Sequence, residues 1–196
     1  IVSVVPIQIS VGKWERSIDY RKIDINANAL AGVDNLAEHL KEQGIKKVYP
    51  ALRHIKMRLE EHHKIFVTAR HTQVMDDLFF DLSDFGAVRL DGSMGEQQKF
   101  DAVKKFQNDI NCRVFIGQNR AAGVGITLTA ASHVIIVEPD WSYSNLMQII
   151  DRCHRIGQTQ TVTAEILCGA DSVDEYIVNA TLTKKENIEA VIDGPR

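Results

Sequence analysis

Two arginines near the end of the chain, Arg152 and Arg155, lie three residues apart, and Gln148 precedes the first of them by four. If the stretch from Asn145 to Arg155 is helical, all three side chains project from one face. Two guanidinium groups keep their charge at any physiological pH, so a face that carries both requires an anion. Phosphate matches the planar fork of donors on each guanidinium. The spacing therefore predicts a phosphate-binding face, with an ordinary solvated helix surface as the alternative.

A glycine-containing stretch shortly before these arginines could bring the backbone close to a ligand. Gly123 and Gly125 follow an apolar run that ends at Gly117. Glycine has no Cβ, so the chain at both positions can approach a ligand or make a tight turn. The pair alone does not distinguish the two uses, but its position next to the arginine face favours the ligand.

The elements that must position these residues alternate between strand and helix from Lys64 onward. Short apolar runs without strict alternation are typical of strands that are buried on both faces, and such strands form parallel sheets covered by helices. The fold class predicted is α/β, a parallel sheet with helices on both faces. The predicted strands contain Ile65, Val88, Val114, Ile135 and Ile166.

The flanking regions are less regular. Residues 1–9 are predicted to form an edge strand or the tail of a preceding domain, because Pro6 interrupts a β-branched run. Helical spacing predicts helices over 29–42 and 48–59, separated by Gly44. The helix over 96–106 is expected to turn Phe100, Val103 and Phe106 inward, and a terminal helix is predicted over 172–191.

Composition limits the class of protein. With 44% hydrophobic and 25% charged residues the chain is an ordinary globular sequence, and its net charge of −3 argues against binding nucleic acid by bulk charge. The three cysteines form no C-x-x-C pair, which predicts neither zinc nor disulfides and a reducing compartment. No apolar run reaches 18 residues, so we expect a soluble, intracellular protein. The first residue is Ile1 rather than Met, and we expect a fragment of a longer chain.

Several motifs together resemble those of SNF2-type helicase-like ATPases. The stretch 148–158 resembles motif VI, Q-x-x-x-R-x-x-R-x-G-Q, and the stretch 118–128 resembles motif V, with Gln118 and Asn119 in place of the usual Ser and Thr. Weaker matches are motif IV at 64–71, the R-x-D-G-S block at 89–93 and the P-x-W block at 139–141. The chain is thereby identified as a member of superfamily 2, similar to the C-terminal RecA-like lobe of SNF2 translocases. Residues 121–122 and 126–127 resemble the SMARCAL-like annealing-helicase branch.

The resemblance implies roles for individual residues. Arg152 and Arg155 correspond to catalytic arginine fingers that reach the γ-phosphate of ATP held by the other lobe. The residues implied to bind the cofactor are Gly123, Gly125 and Gln148. The residues implied to contact DNA are Thr68, Arg70, Gly92, Ser93 and Asn119. Trp141 is expected to pack in the core or between lobes rather than stack on a base.

Two apparent sites are rejected on their context. Asp174 and Glu175 imitate an acidic Mg²⁺-binding box, but such a box ends an apolar strand, whereas this pair begins a polar helix. His62 and His63 have no companion ligands at metal spacing and are expected to face solvent. No metal site is predicted in the chain.

The whole-protein function expected from these features is a DNA-dependent ATPase. The sequence contains no G-x-x-x-x-G-K-[ST] and no acidic box after an apolar strand, so ATP and Mg²⁺ are expected to be bound mainly by a first RecA-like lobe that this chain lacks. The domains implied are a linker or accessory segment over 1–45, the C-terminal lobe over 46–168 and a brace helix over 169–196. The fragment alone is expected to be inactive and to bind DNA weakly.

The intact protein is expected to couple ATP hydrolysis to translocation or remodelling on duplex or forked DNA, as a monomer. Its compartment is expected to be the nucleus in a eukaryote or the cytoplasm in a prokaryote or phage. Two alternatives remain open at this point. A strand-separating superfamily 2 helicase would unwind DNA or RNA in a strand-separation assay. A non-catalytic nucleic-acid-binding scaffold would show no ATPase activity as the full-length protein.

Overall fold

The computed structural model describes residues 1–9, 36–119 and 125–193, with side chains described as far as residue 183. Within these ranges a six-stranded sheet carries helices on both faces. The strands are β1 (Val2–Ile7), β2 (Ile65–Ala69), β3 (Val88–Leu90), β4 (Val114–Gln118), β5 (His133–Ile136) and β6 (Thr163–Gly169). The helices are α1 (Leu36–Glu61), α2 (Thr72–Asp81), α3 (Glu96–Asn108), α4 (Tyr143–Ile150) and α5 (Val173–Asp193), with a 3-10 turn at Ser83–Phe85. The predicted α/β class is confirmed.

The sheet is parallel throughout. Its strand order is β1-β6-β5-β2-β4-β3, and each neighbouring pair runs in the same direction. Parallel neighbours require crossover connections, which the helices supply. The carboxyl ends of the strands therefore share one edge, where the loops after β2, β3, β4 and β5 gather. The edge strand expected over residues 1–9 is present as β1, which pairs with β6.

Two apolar layers enclose the sheet because successive side chains of a strand point to opposite faces. On one face Ile65 and Val67 of β2 pack with α1 and α2 through buried residues that include Ile55 and Leu78. On the other face Phe66 packs with Phe115 and with α3, α4 and α5. Among the helices in the described ranges, none is long and apolar enough to cross a membrane.

The inward face predicted for α3 is partly wrong. Phe106 is fully buried and Val103 packs partly against the core, but Phe100 is 61% exposed. Six residues rotate an α-helix by about 240° beyond a full turn, so Phe100 and Phe106 cannot both face the sheet. The prediction therefore assumed a wider apolar face on α3 than the one that packs against the sheet.

Helix α1 is continuous where the sequence predicts two helices. It runs through both Gly44 and Pro50, and Gly44 is not a helix end. Its core-facing residues Ala51, Ile55 and Leu59 are nearly fully buried, and this packing holds a helix that local propensity alone would interrupt. Residues 29–35 of the first predicted helix lie outside the described residues. The predicted domain limit at residue 46 falls inside α1, and the division into domains remains a prediction.

A buried ion pair fastens α1 to the start of α5. Lys47 Nζ lies 2.6 Å from Asp174 Oδ2 and donates to the Leu167 carbonyl at 2.7 Å. Asp174 Oδ2 also accepts from the Gly169 amide at 2.9 Å. Lys47 is only 1% exposed, so its charge depends on these two acceptors. Asp174 is therefore a structural residue, as its rejection as an acidic box implied.

Trp141 also belongs to this region of the core. It packs against a small cluster of Leu40, Val173 and Ile177, and its ring lies 5.7 Å from that of Tyr176 in an edge-to-face arrangement. The cluster joins α1 to α5. Trp141 is thus partly buried against this cluster, in agreement with the packing role expected from the sequence.

A second buried charge lies on the face covered by α1. The carboxylate of Glu165 accepts from Arg58 Nη2 at 2.6 Å and Nε at 3.1 Å. His54 Nε2 lies 2.6 Å and His133 Nε2 3.2 Å from Glu165 Oε2. This arrangement ties α1 to β5 and β6. None of these contacts is visible in the local pattern of the sequence.

The position of His62 corrects a prediction. Its ring stacks on that of His133, with centroids 4.2 Å apart and planes 11° from parallel. His62 is half-buried and does not face solvent freely, whereas His63 is exposed. His62 is less exposed than His63 because it stacks on the buried ring of His133, and stacking removes part of both rings from water.

We expect the free energy of unfolding to decrease as the pH is lowered below about 6.5, because the unfolded chain takes up protons that the folded chain resists. Burial, reinforced by the charge of His62, lowers the pKa of His133 from 6.5. Burial acts to raise the pKa of Glu165, but hydrogen bonds from Arg58 and His54 outweigh it and lower that pKa from 4.5 to about 2. The stability that His133 contributes is therefore lost below pH 6.5.

The contribution of Glu165 is lost between pH 4.5 and 2. Its size is roughly 3 kcal/mol. Urea denaturation at a series of pH values measures both effects. In Glu165→Gln the free energy of unfolding should decrease less steeply between pH 4.5 and 2. A protein that becomes more stable on acidification from neutral pH would contradict the assignment.

Candidate functional site

The helix that precedes the two arginines is shorter than predicted. Helix α4 covers Tyr143–Ile150, and Ser142 caps it by accepting a hydrogen bond from the Asn145 amide at 3.3 Å. The predicted helix to Arg155 is wrong because residues 151–157 form successive turns. Arg152 and Arg155 therefore do not share a regular helical face with Gln148.

The segment after the helix is tied to a distant part of the chain. The Arg152 carbonyl accepts from the Leu128 amide at 2.8 Å. Gln158 strengthens the same junction, because its Nε2 lies within 3.2 Å of three carbonyl oxygens, those of Thr129, Ala131 and Cys153. Sequence reasoning treated Gln158 only as part of a motif. Its structural role was missed because two of these three carbonyls precede α4 in the chain.

Arg152 is nearly buried and incompletely paired. Its side chain is 6% exposed, and its Nε is a buried donor with no hydrogen-bond partner among the described residues. Burial lowers the pKa of Arg152, and the charge of Arg155 lowers it further, while Asp151 acts in the opposite direction. A buried unpartnered guanidinium donor is costly. Such a group is suited to an anionic ligand that supplies the missing acceptor.

Arg155 is half-buried and held by neutral acceptors. Its Nη1 donates to the Gly125 carbonyl at 3.2 Å and to Thr127 Oγ1 at 3.1 Å. The carboxylate of Glu165, by contrast, is paired with Arg58 and His54 of α1. Long hydrogen bonds to neutral groups can be exchanged for a stronger bond to phosphate.

The three predicted cofactor-binding residues have different outcomes. Gly125 is exposed, and a Cβ there would meet no described atom within 4 Å, so the glycine leaves open space beside Arg155. Gln148 is an exposed residue of α4. Gly123 lies outside the described residues. The structure therefore brings Arg155 and Gly125 together and leaves the role of Gln148 a prediction.

Residues predicted to contact DNA gather at the carboxyl edge of the sheet, after β2, β4 and β3. Thr68 is fully buried, and its Oγ1 has no partner among the described residues. Asn119 is also buried: its backbone amide donates to the Ala69 carbonyl at 2.9 Å and its Nδ2 to the Glu138 carbonyl at 3.0 Å. Arg70 is half-buried at the end of β2. Two of these three side chains thus lie beneath the surface.

The loop after β3 is exposed and internally bonded. Both the amide and the hydroxyl of Ser93 donate to Asp91 Oδ1, at 2.7 and 2.5 Å. The Ser93 hydroxyl, together with Arg89, lowers the pKa of Asp91 to about 2 despite its burial. Gly92 is exposed, and its amide lies 3.4 Å from Gln118 Oε1. The ionised Asp91 therefore fixes the shape of a loop whose backbone faces solvent.

The described residues include no group of three or more His, Cys, Asp or Glu side chains able to hold a metal ion. The donors present are guanidinium groups and backbone amides, which suit phosphate oxygens rather than a cation. The residues of the described ranges therefore do not fit a Mg²⁺ site.

Comparison with known proteins adds an independent finding. The model for the helicase conserved C-terminal domain matches residues 46–157. The C-terminal part of the Fun30 ATPase domain, a solved structure, has a TM-score of 0.65 and 32% identity and covers 69% of this chain and 45% of that one. The range 46–157 includes the strands β2, β3, β4 and β5.

Two curated relatives show the range of similar proteins. The lymphoid-specific helicase of Homo sapiens is 37% identical over 132 residues, which is 66% of this chain and 16% of that protein. The SWI/SNF-related matrix-associated actin-dependent regulator of chromatin subfamily A-like protein 1 of Drosophila melanogaster is 34% identical over 140 residues, which is 70% of this chain and 18% of that protein. The chain thus spans less than a fifth of the length of either relative. These identities do not separate the branches, and the annealing-helicase branch remains a prediction.

Proposed function

This chain belongs to the family of helicase conserved C-terminal domains, with SNF2-type relatives, and we propose that it is the second motor lobe of a DNA-dependent ATPase. ATP would bind between this lobe and a first RecA-like lobe of the same polypeptide. Hydrolysis would drive translocation or remodelling on duplex or forked DNA by a monomeric motor. The proposed lobe covers 46–168, with a linker segment before it and a brace helix over 169–196.

The observation that carries this proposal is the pair of guanidinium groups after α4. Arg152 has a buried Nε without a described partner. The positive charge of neighbouring Arg155 repels the positive charge of Arg152. Neither arginine forms a salt bridge with a residue of the described ranges, and the acceptors of Arg155 there are a carbonyl and a hydroxyl. An anion placed against both groups would relieve the repulsion and satisfy the donor. A nucleotide phosphate is the anion that the family suggests.

In the proposed mechanism Arg155 acts on charge that develops on the transferred phosphate. Arg155 is held near Gly125, where a bound nucleotide would meet no side chain. Its bonds to neutral acceptors fix its position before the ligand arrives, so little reorganisation is needed during the reaction. Arg152, which is more buried, would orient the same phosphate and exclude water.

The remaining requirements of phosphoryl transfer would be met by the other lobe. A phosphate cradle, Mg²⁺ ligands and a water-positioning group are needed in addition to the arginines. The sequence has no P-loop motif, and the described residues do not form a metal site. We therefore assign the binding of the β-phosphate and of Mg²⁺ to the first lobe, and only the arginines to this chain.

DNA would contact the carboxyl edge of the sheet. Arg70 and Gly92 are at least partly exposed there and can offer a guanidinium and a backbone amide to phosphate oxygens. Ser93 is exposed beside them, and its hydroxyl would have to leave Asp91 before it could donate to phosphate. Thr68 and Asn119 are buried, and we assign them to the support of these contacts from beneath. The names of the relatives, a helicase and a regulator of chromatin, support a DNA substrate. The cellular compartment remains a prediction.

The experiment that tests the division between lobes is ATP hydrolysis by three preparations. The 196-residue chain alone should show no turnover above background, because it lacks the groups that bind the β-phosphate and Mg²⁺. The full-length protein should hydrolyse ATP, and DNA should stimulate it. The chain mixed with DNA, without the rest of the protein, should likewise show no ATP hydrolysis above background. Turnover by the purified chain that survives removal of contaminants would contradict the half-enzyme proposal.

A further inference from the structure

The carboxylate of Glu138 lies beneath the proposed DNA surface and is engaged by three donors. It follows β5 and is 5% exposed. Its Oε2 accepts from the backbone amides of Arg70 at 2.7 Å and His71 at 2.9 Å, and its Oε1 lies 2.5 Å from His71 Nδ1. All three donors belong to the loop between β2 and α2. Glu138, which follows β5, thus holds the loop that follows β2.

This contact takes the place of a local helix cap. His71 is the N-cap residue of α2, yet its side chain makes no capping hydrogen bond within the helix, and the first turn of α2 contains no acidic residue. A negative charge near a helix N-terminus is favourable. Glu138 provides that charge from across the sheet, and it fixes the loop at the same time.

Two further segments meet at Glu138. Asn119 Nδ2 donates to the Glu138 carbonyl at 3.0 Å, which links the end of β4 to the end of β5. Gly44 of α1 packs against the Glu138 carboxylate so closely that a Cβ on residue 44 would overlap it. Helix α1 and the β2–α2 loop therefore meet at the Glu138 side chain, and the end of β4 bonds to the backbone of the same residue.

We propose that Glu138 is a positioning residue for DNA, which sets the spacing between Arg70 on one loop and the backbone supported by Asn119 on the next. This inference rests on the proposed function. The carboxylate cannot contact phosphate favourably itself, because both carry negative charge and it is buried. Its effect must therefore pass through the groups that it holds. DNA phosphates are evenly spaced, so two loops that shift relative to one another lose simultaneous contact.

Glutamine at position 138 separates this role from simple packing. It has nearly the same volume, but only one of its terminal atoms accepts hydrogen bonds, and its NH₂ group would face either the two backbone amides or the His71 ring. The β2–α2 loop should shift as a result. In the full-length protein with duplex DNA, the DNA concentration that gives half-maximal stimulation of ATP hydrolysis should rise on the order of tenfold, with kcat at saturating DNA reduced by less than about twofold.

The matched control is Glu61→Gln, which removes the same charge from an exposed glutamate that pairs with Arg58. This variant should keep the wild-type half-saturating DNA concentration. Glu138→Asp retains a carboxylate and should recover part of the loss. A melting curve for each variant shows whether the fold is retained.

An unchanged half-saturating DNA concentration in folded Glu138→Gln would overturn the inference, and so would a loss confined to kcat and melting temperature. If Glu138→Gln does not fold, His71→Ala provides the test, because it removes only the bond to Oε1. It should raise the half-saturating DNA concentration about two- to threefold, and no change would again overturn the inference. Absence of DNA stimulation in the wild-type protein would instead refute the proposed function, and this inference with it.

Discussion

Replacing Arg155 with alanine in the full-length protein should lower ATP turnover by about a thousandfold or more, while DNA binding stays nearly unchanged. An arginine finger stabilises charge that appears on the phosphate only in the transition state, so its loss affects kcat most. The fold should tolerate the change, since within the described residues the Arg155 side chain bonds only to the Gly125 carbonyl and to Thr127 Oγ1. Arg155→Lys should recover little, because an ammonium group cannot reproduce the bidentate fork.

The measurement is kcat for DNA-stimulated ATP hydrolysis, with a melting curve and a DNA-binding titration for each variant. Arg53→Ala is the matched control, because Arg53 is an exposed arginine of α1 away from the site. It should retain wild-type turnover. A folded Arg155→Ala protein that keeps more than about a tenth of wild-type turnover would remove the catalytic assignment.

Asp174→Ala should destabilise the chain by about 3–5 kcal/mol, the cost of leaving a buried charge without its partner. Lys47 is 1% exposed, and after the change its ammonium group would keep only the Leu167 carbonyl as acceptor. The Gly169 amide would lose its acceptor as well. Because Lys47 is on α1 and Asp174 on α5, the contact between these helices should loosen first.

Urea denaturation of Asp174→Ala, Lys47→Met and the double variant Lys47→Met/Asp174→Leu measures the effect. The double variant should recover much of the lost stability, since apolar groups of similar volume often replace a buried ion pair at little cost. Glu60→Ala, at an exposed position of α1, is the control and should change stability by less than about 0.5 kcal/mol. An Asp174→Ala cost below about 1 kcal/mol would show that Lys47 finds another partner or water.

Much of the fold follows from local patterns. The runs around Ile65, Val114 and Ile135 are apolar without alternation because both faces of those strands are buried, and that requirement is written into each strand separately. Local pattern also predicted the terminal helix and placed the acidic pair at its start. The side chains able to bind an anion, Arg152 and Arg155, were identified by type and spacing alone.

The arrangement of the site depends on contacts between segments that are far apart in the chain. Helix α4 ends at Ile150, and the segment that follows it is bonded to Leu128 through the Arg152 carbonyl, a partner that no property of residues 145–155 encodes. Gln158 likewise bonds to the carbonyl of Ala131, far from it in the chain. A short window of sequence reports local propensity and cannot report such partners.

Burial likewise bears on residues that the sequence predicted to contact DNA. Thr68 and Asn119 were predicted to contact DNA, yet both lie beneath the surface, while Glu138, which no motif indicated, engages the loop that carries Arg70. Gly44 was expected to end a helix and instead makes room for that carboxylate. Local patterns were sufficient to predict the parallel sheet and the types of side chain available for chemistry. Which donors are satisfied could be read only from the folded chain, because hydrogen bonds and close approaches join residues that no local pattern relates.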